Sequence, residues 1–378
     1  MEAVLGEAGG GAPLDALQRL AAASLIRREN DRGSAEDGPR FWMLETIREF
    51  AAEKLAGEAR VGWEQAHARY FLALAEREAA RLEGTAAPVA AAALALEQDN
   101  LLAALGTLQA DPAREPAALQ LLAALSAYWV RCCRHETARA YLPSGLTAAA
   151  AARQPRLYGQ VLRALGTIAW QEGAYCEARD HLERALELAR RVVDLPGAAG
   201  ALQGLGALAA DQERVDEARE RLQETLTLRR QCNDRAGCVA ALNNLGGLAA
   251  AAGDLAVARE QYDEALGLAQ ELDSAYLQGG VLASLGGLVL REGDAPTAER
   301  LYQASLGHFL ACGHRTGEAH CLLRLARLAQ QRGERETALR RAAESLAVWR
   351  EIRHAQGIAG AEALHATLLT APSPASVR

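Results

Sequence analysis

A Leu-Gly pair recurs every 40 residues in this chain, at Leu165-Gly166, Leu205-Gly206, Leu245-Gly246 and Leu285-Gly286, and then as Leu325-Ala326. Four other positions keep the same register. A Leu precedes each pair (Leu162, Leu202, Leu242, Leu282, Leu322), and a turn residue follows it (Gly173, Glu213, Gly253, Gly293, Gly333). An Ala comes next (Ala178, Ala218, Ala258, Ala298, Ala338), then a Leu (Leu186, Leu226, Leu266, Leu306, Leu346). No insertion interrupts five consecutive units. A fixed period of this length marks a stacked-repeat architecture, in which each unit buries its apolar face only against its neighbours. An earlier, degraded unit fits the frame through Leu122, Leu125, Ser126, Cys133, Ala138, Leu142 and Leu146. A closing helix over about 357–370 starts at Gly357, in register with Gly197, Gly237 and Gly317.

Within a unit the spacing predicts two antiparallel helices. Leu162, Leu165 and Ala169 form an i, i+3, i+7 stripe on the first, and Gly173 ends it. Ala178, Leu182, Ala185 and Leu186 line the second. Half the residues are hydrophobic but only 4% are aromatic. Ala and Leu, both strong helix formers, therefore fill the apolar positions. The small residues at Gly166 and Ala178 allow close helix approach and are assigned to packing.

These residues resemble the tetratricopeptide repeat. Leu165, Gly166, Ala178, Leu182 and Ala185 match its Leu-Gly pair and the small and large positions of its second helix at the family spacing. Two departures stand out: the first helix has Leu or Ala where the family has large aromatics, and the unit exceeds the usual length. The resemblance spans about residues 118–370 and implies a right-handed all-α superhelix of 40-residue helix pairs. Units fall near 118–157, 158–197, 198–237, 238–277, 278–317 and 318–357, with a cap over 357–370 and a disordered tail over 371–378.

Residues 1–115 do not follow the period. Leu14 to Leu25 reads as a helix, Leu25–Glu29 and Arg40–Leu44 as strands around a polar turn over Asn30–Pro39, and Glu45 to about Leu55 as a second helix. This is the pattern of a small partial winged helix over 1–60. The segments LDALQRLAAASLIRREN and RFWMLETIREFAAEKL resemble the winged helix that follows the nucleotide-binding module of bacterial STAND or LuxR-type ATPase transcriptional regulators. HARYFLALAE and LEQDNLLAAL are similar to the linker helices, here 61–117, that join it to a repeat sensor. The resemblance implies a signal-transduction role in which the repeats sense an inducer or partner. Lys54 is the only lysine and lies in a helical pattern between Glu53 and Leu55, so the G-x-x-x-x-G-K-[ST] phosphate loop is lacking. The chain therefore reads as the C-terminal part of such a regulator.

Other chemistry is sparse. The seven cysteines form no C-x-x-C and read as thiols of a reducing cytosol. The eight histidines include no H-E-x-x-H, and neither G-x-S-x-G nor G-x-G-x-x-G occurs. Gly204-Leu205-Gly206 belongs to the repeat. No enzyme activity, metal or cofactor is expected. Net charge is −7, and residues 1–60 carry eight Lys/Arg against eleven Asp/Glu, which disfavours direct nucleic-acid binding. With no basic leader, no signal-like core and no long apolar run, a cytoplasmic protein is expected and no membrane partner.

The default ligand site of such a stack is its concave face, lined by the first helices. Family register places Arg163, Thr167, Trp170 and Gln171 there, then Gln203 and Asp211, Asn243 and Asn244, Ser284 and Arg291, and His320, Arg324 and Arg327. The small residues Gly200, Ala207, Ala240, Gly247, Gly280 and Gly287 leave room for a peptide. The amides of Asn243 and Asn244 can donate to and accept from a peptide backbone, while Arg324 and Arg327 suit a carboxylate. Trp170 is a candidate anchor. The expected function is a non-enzymatic protein- or peptide-binding scaffold. The alternative is a small-molecule inducer site in the same superhelix. Homo-oligomers are compatible with either.

Overall fold

The computed structural model describes residues 13–29, 40–55, 57–82, 86–352 and 354–370. Two compact units emerge, Met1–Arg77 with Glu97–Leu121, and Glu78–Leu96 with Leu122–Arg378. Two of the three boundaries fall inside the stretch read as linker helices, 61–117, and the third falls within the first expected repeat unit.

In the smaller unit, α1 (Pro13–Ala22) leads into an antiparallel hairpin of β1 (Ile26–Glu29) and β2 (Arg40–Met43), paired Ile26 to Met43 and Glu29 to Arg40. The first helix stops earlier than its sequence suggests. Ser24 takes a left-handed φ of 56°, which breaks the helix before Leu25. The polar turn expected over Asn30–Pro39 lies outside the described residues, as does the tail over 371–378. α2 (Glu45–Lys54) follows, then α3 (Glu58–Arg81), whose residues through Arg77 belong here. After α4 (Ala87–Leu96) of the larger unit, α5 (Gln98–Gln109) and a short 3-10 turn (Pro112–Arg114) return. Ala66, Phe71, Leu74, Leu101, Leu105 and Leu119 are buried in this unit.

The larger unit is the repeat stack. α6 (Glu115–Arg131), which belongs to this unit from Leu122 on, opens the degraded first pair; its partner is broken into α7 (His135–Tyr141), a 3-10 turn (Leu142–Gly145) and α8 (Ala148–Arg153). The break has a local cause: Pro143 offers no backbone donor, and Thr147 starts a new helix by accepting from Ala150 N at 3.0 Å. Regular pairs follow as α9 (Pro155–Gln171) with α10 (Tyr175–Arg191), α11 (Leu195–Asp211) with α12 (Val215–Gln231), and α13 (Arg235–Ala252) with α14 (Leu255–Glu271). α15 (Ala275–Arg291) with α16 (Ala295–Ala311) and α17 (Arg315–Gln331) with α18 (Arg335–Glu351) complete the series, and α19 (Ala355–Thr370) closes it. This is the all-α stack of 40-residue helix pairs that the spacing predicts.

Two left-handed residues per unit set its length. Gly173, Glu213, Gly253, Gly293 and Gly333 end the first helices at φ 80°, 58°, 91°, 92° and 78°. A second series, less visible in sequence, ends the second helices at Val193, Asn233, Asp273 and Gly313, with φ from 49° to 63°. Each first helix is then restarted by a side-chain cap: Asp194 accepts from Gly197 N, Asp234 from Gly237 N and Ser274 from Leu277 N. In the sixth unit and the closing helix the acceptor is an imidazole. His314 Nδ1 and His354 Nδ1 take the N–H groups of Gly317 and Gly357, both at 3.0 Å.

The Leu-Gly glycine is the point of closest helix approach. A Cβ at Gly246 would lie 2.6 Å from the buried Tyr262 ring, and one at Gly286 would lie 2.9 Å from Tyr302. The sixth unit reverses the sizes, with Ala326 in place of the glycine and Ala342 in place of the large partner, both fully buried. Ion pairs join successive units on the outer surface. Arg259 bonds Glu292, and one repeat later Glu299 accepts from Arg332 at 2.5 Å, the same pair with its charges exchanged. Such exposed pairs contribute only tenths of a kcal/mol to ~1 kcal/mol each. Buried Ala and Leu carry the stack.

Candidate functional site

The repeat stack curls enough for first helices far apart in sequence to share one cavity. Trp170 and Gln171 of α9 and Asp211 of α11 face His320 and Leu323 of α17, Trp349 of α18, and His354 with Gly357 and Gly360 around the start of α19. The cavity has a volume of about 460 Å³. On one side Trp170 Nε1 donates to Asp211 Oδ2 at 2.7 Å, tying the second unit to the third. On the other, Trp349 is sandwiched by imidazoles. His320 meets it edge-on with ring centroids 4.8 Å apart, and His354 lies at 4.8 Å and 34°. Gly357 makes room for this indole, since a Cβ there would collide with it.

Burial sets the charge of these rings. It pushes the His320 imidazole below its ordinary value, and neighbouring Arg324 and His354 add to the shift. His354 is lowered in the same way by burial and by His135. His320 reaches solvent yet is encircled by protein, as expected for a residue on an inner wall. Near neutral pH both rings are uncharged. With Nδ1 of His354 occupied by the Gly357 amide, its remaining ring proton sits on Nε2. The wall therefore offers aromatic faces, neutral donors and one carboxylate. It suits binding of a polar, partly apolar chain or ring.

Four of the residues expected on the groove, Trp170, Gln171, Asp211 and His320, meet at this cavity. The others lie elsewhere on the stack. Arg163 lays its guanidinium over Gly200 of the next unit, so the missing side chain at Gly200 receives an arginine of this chain. Thr167 Oγ1 donates to Arg163 O within its helix at 2.9 Å. Gln203 is half-buried. Arg291 Nη1 donates to Ala250 O at 2.5 Å, across two units. Ser284 donates to Gly280 O at 3.3 Å and adjoins the Tyr262 hydroxyl, while Arg324 adjoins Tyr302. These positions, in the same register as Asn244, turn toward the second helix of the preceding unit. Gly204 of that register likewise packs on Leu182. Asn244 is half-buried, and Arg327 is exposed and unpaired among the described residues. Asn243 is half-buried with Oδ1 enclosed and without a hydrogen-bond partner.

Sequence reasoning did not find Trp349 or His354. Trp349 sits on a second helix, where an aromatic reads as core, and it is 0% exposed with its Nε1 unpaired. His354 had a usable signal, since it occupies the cap register of Asp194 and Asp234.

The tetratricopeptide repeat family model matches residues 197–271, the third and fourth units. No curated protein is recognisably similar to this chain in sequence. Among solved structures, a Rap protein complexed with competence and sporulation factor is similar at TM-score 0.61 and 14% identity, covering 79% of this chain and 82% of that one. Aspartyl phosphate phosphatase F from Bacillus subtilis is similar at TM-score 0.56 and 12% identity, over 88% of this chain and 79% of that one. The STAND protein with a tetratricopeptide repeat sensor from Pyrococcus horikoshii matches 97% of this chain at TM-score 0.51 and 13% identity. This chain spans 56% of that protein. At such identities the likeness is one of fold.

Proposed function

We propose that this chain is a non-enzymatic, cytoplasmic protein- or peptide-binding scaffold, the sensor portion of a STAND-type signal-transduction or transcriptional regulator. One observation carries the binding role. The inner wall gathers Trp170, Asp211, His320, Trp349 and His354 around an open cavity, and Trp349 Nε1 there is buried without a partner. The similarity in fold to a Rap protein complexed with competence and sporulation factor supports a binding role. The regulator role rests on the helix–hairpin–helix of α1, β1, β2 and α2, the winged-helix resemblance of those segments, and the match to a STAND protein across nearly the whole chain.

The test is selection of a displayed random-peptide library on the wild-type protein, followed by titration of the selected peptides against Trp170→Ala and His320→Ala. Selected peptides should bind the wild type saturably and lose roughly tenfold or more affinity with either variant. Peptides that bind all three proteins equally, with unchanged helicity, would remove the inner cavity as the site.

A further inference from the structure

We propose that a second cavity of the repeat stack, larger than the first and on a different wall, binds a small organic anion. It has a volume of about 940 Å³ and lies where the turn after α6 meets the turn before α17, with α4 as its third side. The first and sixth helix pairs are thus neighbours here, and a ligand would touch both.

The lining carries one more cation than anion, Arg131, Arg134 and Arg315 against Glu136 and Glu351, and Arg315 bonds Glu351 and, at 2.5 Å, Glu318. Arg131 is not neutralised. Its guanidinium lies 5.0 Å above the Tyr276 ring, and it has no carboxylate partner among the described residues. His314 adds a neutral donor. Its Nδ1 accepts from Gly317 N, which leaves Nε2–H, and burial with Arg131 nearby holds its pKa down to about 4. Cys132 and Cys133 bring no opposing charge, because burial raises both thiols.

Independent of this charge, the lining encloses polar groups that lack a partner or lean on a single cation. Tyr128 is 1% exposed, and its enclosed hydroxyl adjoins the Arg134 guanidinium. His135 Nε2 and Arg315 Nε are enclosed without a hydrogen-bond partner. Two such atoms in one cavity lining are unusual in a folded chain. An oxyanion offers the acceptors that a tyrosine hydroxyl and an arginine N–H require. The cavity also exceeds the size of a bare inorganic ion, and Pro88, Ala91 and Ile352 give it an apolar side. The occupant that fits is a carboxylate or phosphate on an apolar body.

The probes are 1-naphthyl phosphate and 1-naphthoate, with 1-naphthol as the uncharged control, titrated calorimetrically into the full chain at constant ionic strength. At least one anion should bind saturably and 1-naphthol at least tenfold more weakly; which anion prevails separates the phosphate from the carboxylate source. Arg131→Gln should weaken binding roughly tenfold or more, the loss of one charge-assisted contact. Tyr128→Phe keeps the ring and removes only the hydroxyl, so it should fold like the wild type and bind several-fold more weakly. It keeps the test decisive if Arg131→Gln fails to fold. Absence of saturable binding by either anion, binding by 1-naphthol as tight, or undiminished affinity in folded Arg131→Gln and in Tyr128→Phe would each overturn the proposal.

Discussion

The two histidine caps make acid stability a direct test of the helix starts. His314 holds Gly317 N through an unprotonated Nδ1, between Tyr276 at 4.9 Å and Phe309 at 5.2 Å. Arg131 and His320 are the charged or titratable neighbours that act on it. Protonation would remove the acceptor, place a cation at a helix N-terminus and add charge beside Arg131, and all three effects are unfavourable. Its pKa falls from 6.5 to about 4 in the folded chain, chiefly through burial. A depressed pKa contributes stability that is complete above 6.5 and is lost as pH falls toward 4. Between about pH 7.5 and about pH 5, proton uptake by the unfolded chain alone removes about 2 kcal/mol. His314→Asn keeps a side-chain oxygen as cap and does not titrate. Urea unfolding of both proteins at the two pH values, followed by circular dichroism, should show the wild type losing about 2 kcal/mol more than the variant. His320, His354 and the carboxylates remain in both proteins and cancel. Parallel losses, or an imidazole resonance of His314 titrating near its ordinary value, would refute the capped neutral ring.

Other expectations follow from backbone and packing. Glu213 and Val193 hold left-handed φ values of 58° and 53° where sister units have Gly or Asn, so Glu213→Gly and Val193→Asn should each stabilise by about 1 kcal/mol, seen as a higher melting temperature. Val193 is 72% exposed, so its replacement sacrifices little packing. Gly246→Ala places a methyl against the Tyr262 ring and should cost about 1–3 kcal/mol in chemical denaturation. Adding Tyr262→Ala should make the double variant less unstable than the sum of the two single changes, because the sixth unit already pairs Ala326 with Ala342. Arg332→Ala, at an exposed pair with Glu299, should change the unfolding free energy by less than about 1 kcal/mol, and a larger loss would show that the outer ion pairs carry more of the stack than geometry suggests.

Much of the fold was readable because the period repeats the same local demands. Leu165, Gly166, Ala178 and Leu182 state a helix, its close approach and its partner, and the same statement recurs in each regular unit. Glu213 shows the strength of register, since it was read as a turn from its position alone and takes the left-handed φ that its glycine sisters take. The site was readable only in part. Trp170 and His320 line one cavity, whereas Ser284 and Arg324 adjoin tyrosines of the preceding second helix. A helix turns about 100° per residue, so a one-position error in register moves a side chain from the lumen to an inter-unit contact.

By itself the sequence determined the element type, the repeat length, the turns that join paired helices, and the small and large positions that pack one helix on the next. All of these are local or nearest-neighbour properties, and a 40-residue period displays them directly. Tertiary structure alone decided which distant units face each other. The small rotation between successive pairs accumulates along the stack. It brings Trp170 opposite Trp349 and Arg131 beside His314, pairings separated by well over a hundred residues that no local pattern encodes.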